Sequence, residues 1–351
     1  MLIFFQYIKM YLFMTTIAVL FALASAAEDG PIDPKIVPTI RLSNGVEMPV
    51  IGLGTALAYP GQVEFAVDAA VTAGYRLIDT AHNYDNEEAI GNALQYLFSS
   101  GVIKREDIFV STKLTETGYH KEDVESQLRE QLGRLKLDYV DMYLMHFPAA
   151  FTKNNHSFDA TVKPEETWQG MEEVYNKNLT RAIGVSNFNT SQLERVLKIA
   201  KVPIHNLQVE CHVHFVQHEL QELCTRNNIS MTCYAPLGAP GRPKRLLPKG
   251  SLYPWPPGPK PLLNPEVLKL SGKYGKPAAS ILLRYLIQRG NIAIPKSVQP
   301  ERIHENIQVF DFNLTDDEMD KLSQSQPQQR LYTQDWLIGH PEDPFASERQ
   351  F

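Results

Sequence analysis

Residues 74–88 read GYRLIDTAHNYDNEE, and the fold turns on them. An apolar strand over 76–80 delivers Asp79 at its C-terminal end, and a short polar loop then presents Tyr84 ahead of a helix predicted over 86–99. A phenol ionises near about pH 10, so it serves as a proton donor to a developing alkoxide at neutral pH only beside a cation that eases its ionisation. The cation follows in the next apolar run, 108–113, which ends in Lys113, and the run after that, 140–146, ends in His146. Three consecutive strands that finish in Asp79, Lys113 and His146 suit a parallel barrel, whose strand C-termini all open onto one face.

Working outward from this stretch, strands are predicted over 50–54, 76–80, 108–113, 140–146, 181–186, 207–210, 231–235 and 292–295. They alternate with helices predicted over 62–73, 86–99, 121–135, 164–176, 191–199, 217–227, 265–274 and 300–306. Eight such pairs are the signature of an α/β protein of the (β/α)8 TIM-barrel class. Asn44-Gly45 makes a tight turn in an N-terminal hairpin, and the aperiodic segment 326–351, with Tyr332, Trp336 and Phe345, reads as a tail laid over one end of the barrel. The structural competitor, a doubly wound sheet, needs a G-x-G-x-x-G turn after its first strand. Here Gly52-Leu-Gly54 runs into Thr55-Ala56-Leu57, without the third glycine. A phosphate must then be held elsewhere, and Lys296, Ser297 and Arg302 gather two cations and a hydroxyl at a strand end and helix start. The proline-rich run 239–263 follows the seventh strand, where it rims the mouth as a lid or a solvated insertion.

The chain has 351 residues and a net charge of −6, with no run of Lys and Arg, which excludes a nucleic-acid binder. Residues 1–27 carry one charge, Lys9, then an apolar stretch and the small residues Ala24-Ser25-Ala26, the layout of a signal peptide ahead of a single domain over 28–351. That leader predicts the secretory pathway or extracellular space; an uncleaved anchor is the competing reading, and a cytosolic address follows if the leader is not used. N-x-S/T tripeptides begin at Asn155, Asn178, Asn189, Asn228 and Asn313, with Asn178 and Asn189 flanking a predicted strand where access is restricted. The three cysteines form no disulfide framework and look cytosolic in usage; Cys211 and Cys233 fall on strands predicted to be neighbours and are read as buried thiols. No metal site and no membrane contact beyond the leader are expected.

Five ordered motifs, GYRLIDTAHNYDNE, the strand ending in Lys113, LMHFP, IGVSNF and IPKS…RIHEN, resemble the aldo-keto reductases over about residues 39–351. The resemblance implies an NADPH-dependent reductase of small-molecule carbonyls, active as a monomer. By it, Tyr84 is the proton donor, Lys113 the partner that lowers its pKa, Asp79 the carboxylate that holds Lys113, and His146 the residue that orients the carbonyl. It also implies that Ser186, Asn187 and Gln208 bind the nicotinamide carboxamide and that Tyr234 stacks under the ring. Thr55, Asp79, Leu237 and Val298 lie along the same cofactor groove. Lys296, Ser297 and Arg302 match the 2′-phosphate site, with Glu305 and Asn306 near the adenine. The alternative on the same barrel is a non-catalytic NADPH-binding or structural protein, against which the intact set Asp79, Tyr84, Lys113 and His146 argues.

Aldose-reductase-like members line the substrate pocket with tryptophans, where this chain has Ala56, Thr115 and Phe147, with Phe151 beside them. Smaller groups remove apolar wall, so a bulky carbonyl such as a steroid-like ketone is the expected substrate. Leu57 and Gly241 stand where relatives place an ionic latch over the cofactor, and Ala239 where they place a serine. Exported insect reductases of steroid ketones are similar members of the family.

Overall fold

The computed structural model describes residues 30–154, 157–241 and 257–349, and the backbone of 245–246 and 252–253. The predicted leader, the sequon at Asn155 and most of the proline-rich run lie outside the described residues.

The chain opens with a hairpin of β1 (Thr39–Arg41) and β2 (Glu47–Pro49), closed by Gly45 at φ 85 with Val46 N donating to Asn44 Oδ1 at 3.2 Å. Strand and helix then alternate through β3 (Leu53–Gly54), α1 (Pro60–Ala73), β4 (Leu77–Asp79), α2 (Glu87–Ser99), β5 (Phe109–Leu114) and α3 (Val124–Leu135). The alternation continues through β6 (Met142–Met145), α4 (Pro164–Asn176), β7 (Ile183–Ser186), α5 (Thr190–Ile199), β8 (Asn206–Glu210), α6 (His218–Arg226) and β9 (Ser230–Tyr234). A short pair, β10 (Arg245–Leu246) and β11 (Leu252–Tyr253), precedes α7 (Pro265–Tyr274), α8 (Ala278–Gln288), β12 (Ile292–Ala293), α9 (Pro300–Ile307) and α10 (Asp316–Ser323).

The eight parallel strands run β12-β9-β8-β7-β6-β5-β4-β3. Gly52 N donates to Ala293 O at 2.9 Å and Gly54 N to Pro295 O at 3.0 Å, so the last strand meets the first and the barrel closes. Successive residues of a strand point to opposite faces, which sorts the interior into layers. At the bottom, Leu77, Phe109, Met142, Ala182 and Ile292 pack on Leu42 and Met48 of the hairpin, which plugs the N-terminal end. Space there is tight: a Cβ on Gly184 would sit 2.3 Å from Asn206 O and 2.8 Å from a Leu144 methyl. Towards the C-terminal ends of the strands the interior turns polar, reaching Asp79, Lys113, Ser186, Gln208 and Tyr234 at the top.

Between strands and helices lies a second, larger apolar shell. Helix α1 contributes Val63, Ala66, Val67, Ala70 and Val71 to it, with Pro60 in its first turn. Gly74, at φ 111, ends that helix; a Cβ there would meet Ile32 O at 2.5 Å, so only glycine fits.

Two helices escape the sequence reading, which puts one helix, 265–274, between the last two strands. Helix α8 is the second, and it reads AASILLRYLIQ with Ser280, Ile281, Leu282, Leu283, Tyr285 and Leu286 all buried. A helix covered on nearly every side has no polar stripe to announce its period. The other, α10, does announce itself: Thr315 and Glu318 form a reciprocal capping box.

Candidate active site

Asp79 lies opposite Ser111 in the parallel register of β4 and β5. Lys113, two residues beyond Ser111, returns to the same interior face. Its ammonium donates to Asp79 Oδ1 at 2.6 Å, to Thr80 O at 2.8 Å and to the Tyr84 hydroxyl at 3.3 Å. Lys113 is fully buried and Asp79 nearly so. Burial pulls the ammonium below its usual range, and the Asp79 carboxylate opposes that pull. On the opposite side of the barrel, β8 sends Gln208 across the interior, and its Nε2 donates to Asp79 Oδ2 at 2.8 Å. Both carboxylate oxygens are therefore held, and with them the lysine.

Tyr84 sits in a single turn of 3-10 helix, His82–Tyr84, directly after β4. Its ring lies edge-on to His146, 5.8 Å between centroids. Burial first, then the Asp79 and Glu116 carboxylates, hold Tyr84 well above the usual phenol range. Burial is the largest cause, and the two carboxylates add to it. The phenol is thereby kept protonated, the state a proton donor needs, and the Lys113 hydrogen bond is in place for the charge that forms when the proton leaves.

His146 follows β6 directly. Burial, and after it the charges of Lys113 and His82, hold its imidazole well below the usual histidine range. Its backbone carbonyl accepts from Asn187 Nδ2 at 2.9 Å. The same amide group of Asn187 contacts Ser186 Oγ at 3.2 Å, and its Oδ1 accepts from the Tyr234 hydroxyl at 2.8 Å. Asn187 adopts φ 62, a left-handed conformation that Asn tolerates, and the three bonds fix it there. Thr55 Oγ1 donates to Asp79 O at 2.9 Å, so the exit of β3 is tied to the exit of β4. Asp79, Tyr84, Lys113, His146, Ser186, Asn187, Gln208, Tyr234 and Thr55 thus form one connected group at the mouth.

The phosphate-site residues stand apart from it, beyond β12. Lys296 and Arg302 are exposed, and neither makes an ion pair among the described residues. Ser297 Oγ accepts from Gln299 N at 3.1 Å as α9 begins. Two unpaired cations beside a helix start fit a phosphate. Glu305 is exposed on α9, Asn306 is buried, and Leu237 and Val298 are partly buried against the core.

The pocket wall differs from expectation on one side. Phe147 packs on His146 at 5.0 Å between centroids and takes Trp336 of the tail edge-on at 5.0 Å, while Phe151 meets the same indole at 5.2 Å. The tail therefore returns a tryptophan to the β6 side. Ala56 and Thr115 are the small groups at the exits of β3 and β5. Leu57 is 56% exposed at φ 61 and offers no charge to a latch. The tail is anchored by Glu210, whose two oxygens accept from Leu331 N at 2.6 Å and Tyr332 N at 2.9 Å, and by Arg330, whose guanidinium lies 3.7 Å from the Phe345 ring centre.

Sequence reasoning passed over Glu116, Asn83 and Gln131, and it placed Trp336 in the tail without giving it a place on the pocket wall. Gln131 of α3 donates to Lys113 O at 3.1 Å from outside the barrel, where helical periodicity marks it only as a polar residue. Glu116, three residues past Lys113, carries the one available signal, an acidic residue just beyond a chemistry-bearing strand end.

Fold and site together define a barrel oxidoreductase. The sequence pattern of the aldo/keto reductase family matches residues 50–326. An aldo-keto reductase family 1 member A1 from Gallus gallus is 46% identical over 290 residues, 80% of this chain and 86% of the relative. A solved aldose reductase from Schistosoma japonicum superposes with a TM-score of 0.79 at 37% identity, covering 89% of this chain and 99% of its own. A Bombyx mori aldo-keto reductase solved in complex with NADP gives a TM-score of 0.79 at 35% identity, covering 88% and 99%. The chain belongs to the aldo/keto reductase family.

Proposed function

We propose that this protein reduces aldehydes and ketones to alcohols with NADPH, with Tyr84 as the proton donor. The observation that carries this is the Lys113 ammonium, 2.6 Å from Asp79 and 3.3 Å from the Tyr84 hydroxyl beside His146 at the barrel mouth. NADPH supplies the hydride. The chain's own residues do the rest: His146 orients the carbonyl, and Tyr84 protonates its oxygen while Lys113 stabilises the phenolate left behind. Asp79 and Gln208 hold the lysine, and Asn187, Ser186 and Tyr234 offer amide, hydroxyl and ring surfaces for the nicotinamide.

Selection of NADPH over NADH rests on Lys296, Ser297 and Arg302. A lost charge-assisted bond is worth about 1.5–3 kcal/mol. Arg302→Ala is therefore expected to weaken NADPH binding by about 10- to 100-fold while leaving NADH unchanged. Fluorescence titration with both cofactors checks this, and equal losses for the two would count against a 2′-phosphate role.

The substrate side favours a bulky carbonyl, because small groups, Ala56 and Thr115, stand at the exits of β3 and β5 while Trp336 packs against Phe147 and Phe151. The leader supports export; among the sequons, Asn178, Asn228 and Asn313 are exposed, whereas Asn189 uses its amide as the cap of α5 and to reach Pro344 O at 3.2 Å. Exposure of Asn178 differs from the restricted access expected for it, because it sits in the turn after α4 at φ 58. A carbonyl panel run with NADPH on protein collected from the medium of expressing cells, with intact-mass analysis, tests these together. Polycyclic ketones are expected to match or exceed short aldehydes in kcat/KM, and the mass is expected to lack the leader and carry glycans. A clear preference for short aldehydes would overturn the substrate class, and an unprocessed mass the address.

A further inference from the structure

Two buried polar atoms at the mouth face each other without a hydrogen bond. They are Oε1 of Glu116 and Nδ1 of His146, 3.6 Å apart. That distance is too long for a hydrogen bond, yet nothing else among the described residues serves either atom. Buried groups of this kind are normally satisfied, and catalytic contacts often close only when a ligand binds. The geometry looks built for a contact: Glu116 sits in the turn directly after β5, its backbone carbonyl accepts from Phe151 N at 2.9 Å, and its other carboxylate oxygen accepts from Asn83 Nδ2 at 2.6 Å. With Nδ1 committed to that side, Nε2 is the ring nitrogen left for the substrate.

We propose that Glu116 is a positioning residue which, through Nδ1 of His146, sets whether Nε2 meets the substrate oxygen as a donor or as an acceptor. The inference rests on the carbonyl-reductase reading above. When Glu116 is ionised it takes the proton on Nδ1, and Nε2 presents a lone pair to the carbonyl oxygen, two acceptors in opposition. When the pair holds one more proton, as carboxylic acid against imidazole or as carboxylate against imidazolium, Nε2 carries hydrogen and donates to that oxygen. The proton belongs to the pair rather than to either group.

The other ionisable groups facing the pair are Tyr84 and His82 from the turn after β4, Lys113 at the end of β5 with its partner Asp79, and Tyr119 ahead of α3. Lys113 and His82 disfavour a charged imidazole. Burial pushes the Glu116 carboxyl up to about 6, against the lowering effect of Asn83. The donor state is thus the one below the pair's midpoint, and the acceptor state the one above it.

The test is the pH dependence of kcat/KM for carbonyl reduction at saturating NADPH, in wild type, Glu116→Gln and Asn83→Ala. In parallel, 15N NMR of His146 is recorded in the NADP-bound protein. The wild type is expected to lose about tenfold per pH unit above the pair's midpoint. Glu116→Gln cannot titrate, and its amide donates to Nδ1, so the inflection should vanish and Nε2 should stay protonated across the range. Asn83→Ala removes a donor to the carboxylate at an exposed position, and should move the inflection up by about one pH unit. An inflection unchanged in Glu116→Gln, or a His146 tautomer identical in wild type and variant at every pH, would overturn the proposal. A wild type that reduces no carbonyl would sink the reductase reading instead, and the NMR arm, which needs no turnover, would still decide this one.

Discussion

Replacing Tyr84 by Phe is expected to lower kcat/KM for carbonyl reduction by about 10²- to 10⁴-fold, the usual worth of a positioned general acid. NADPH affinity should not change. The phenol is held protonated at neutral pH, chiefly by burial and then by the Asp79 and Glu116 carboxylates, and it lies beside Lys113. Removing its oxygen leaves Lys113 bonded to Asp79 and Thr80, so the lysine does not become an orphaned charge and the fold should persist. Steady-state kinetics beside fluorescence titration of NADPH separate the two effects. A variant that kept more than a tenth of wild-type turnover would remove Tyr84 from the proton step.

Lys113→Met should do more, striking both activity and stability. It leaves the Asp79 carboxylate buried with Gln208 as its remaining side-chain donor, at 2.8 Å. Breaking one partner of a buried ion pair costs about 3–5 kcal/mol, because the survivor's charge is uncompensated. The denaturation midpoint should fall accordingly, and turnover with it, since the phenolate formed on proton transfer loses its hydrogen-bonded cation. The double variant Asp79→Asn, Lys113→Met removes both charges and should regain most of the stability while remaining inactive. Recovery of activity together with stability would mean that the lysine's role is structural only.

How much of this was legible in the sequence follows from what each residue faces. Asp79, Lys113 and His146 end apolar strands, and the period of two in a strand places all three on one face once the barrel is assumed. The hairpin was legible through Asn44-Gly45. Helix α8 was not, because a helix buried on nearly all sides lacks the polar stripe that reveals a helical period. Glu116 and the pocket contact of Trp336 escaped because their partners, His146 and Phe147, are distant in sequence and meet them only when the turn after β5 and the tail converge on one mouth. Cys211 and Cys233 are free and buried, as their strands suggested.

The central claim is that hydride passes from NADPH to a carbonyl carbon at this mouth while Tyr84 supplies the proton. Mass spectrometry of the alcohol formed with NADPH carrying two deuterium atoms at nicotinamide C4 tests it most directly. One deuterium on the carbinol carbon, with product lost in Tyr84→Phe, is the predicted result. Alcohol without the label, or labelled alcohol formed equally well by Tyr84→Phe, would contradict it.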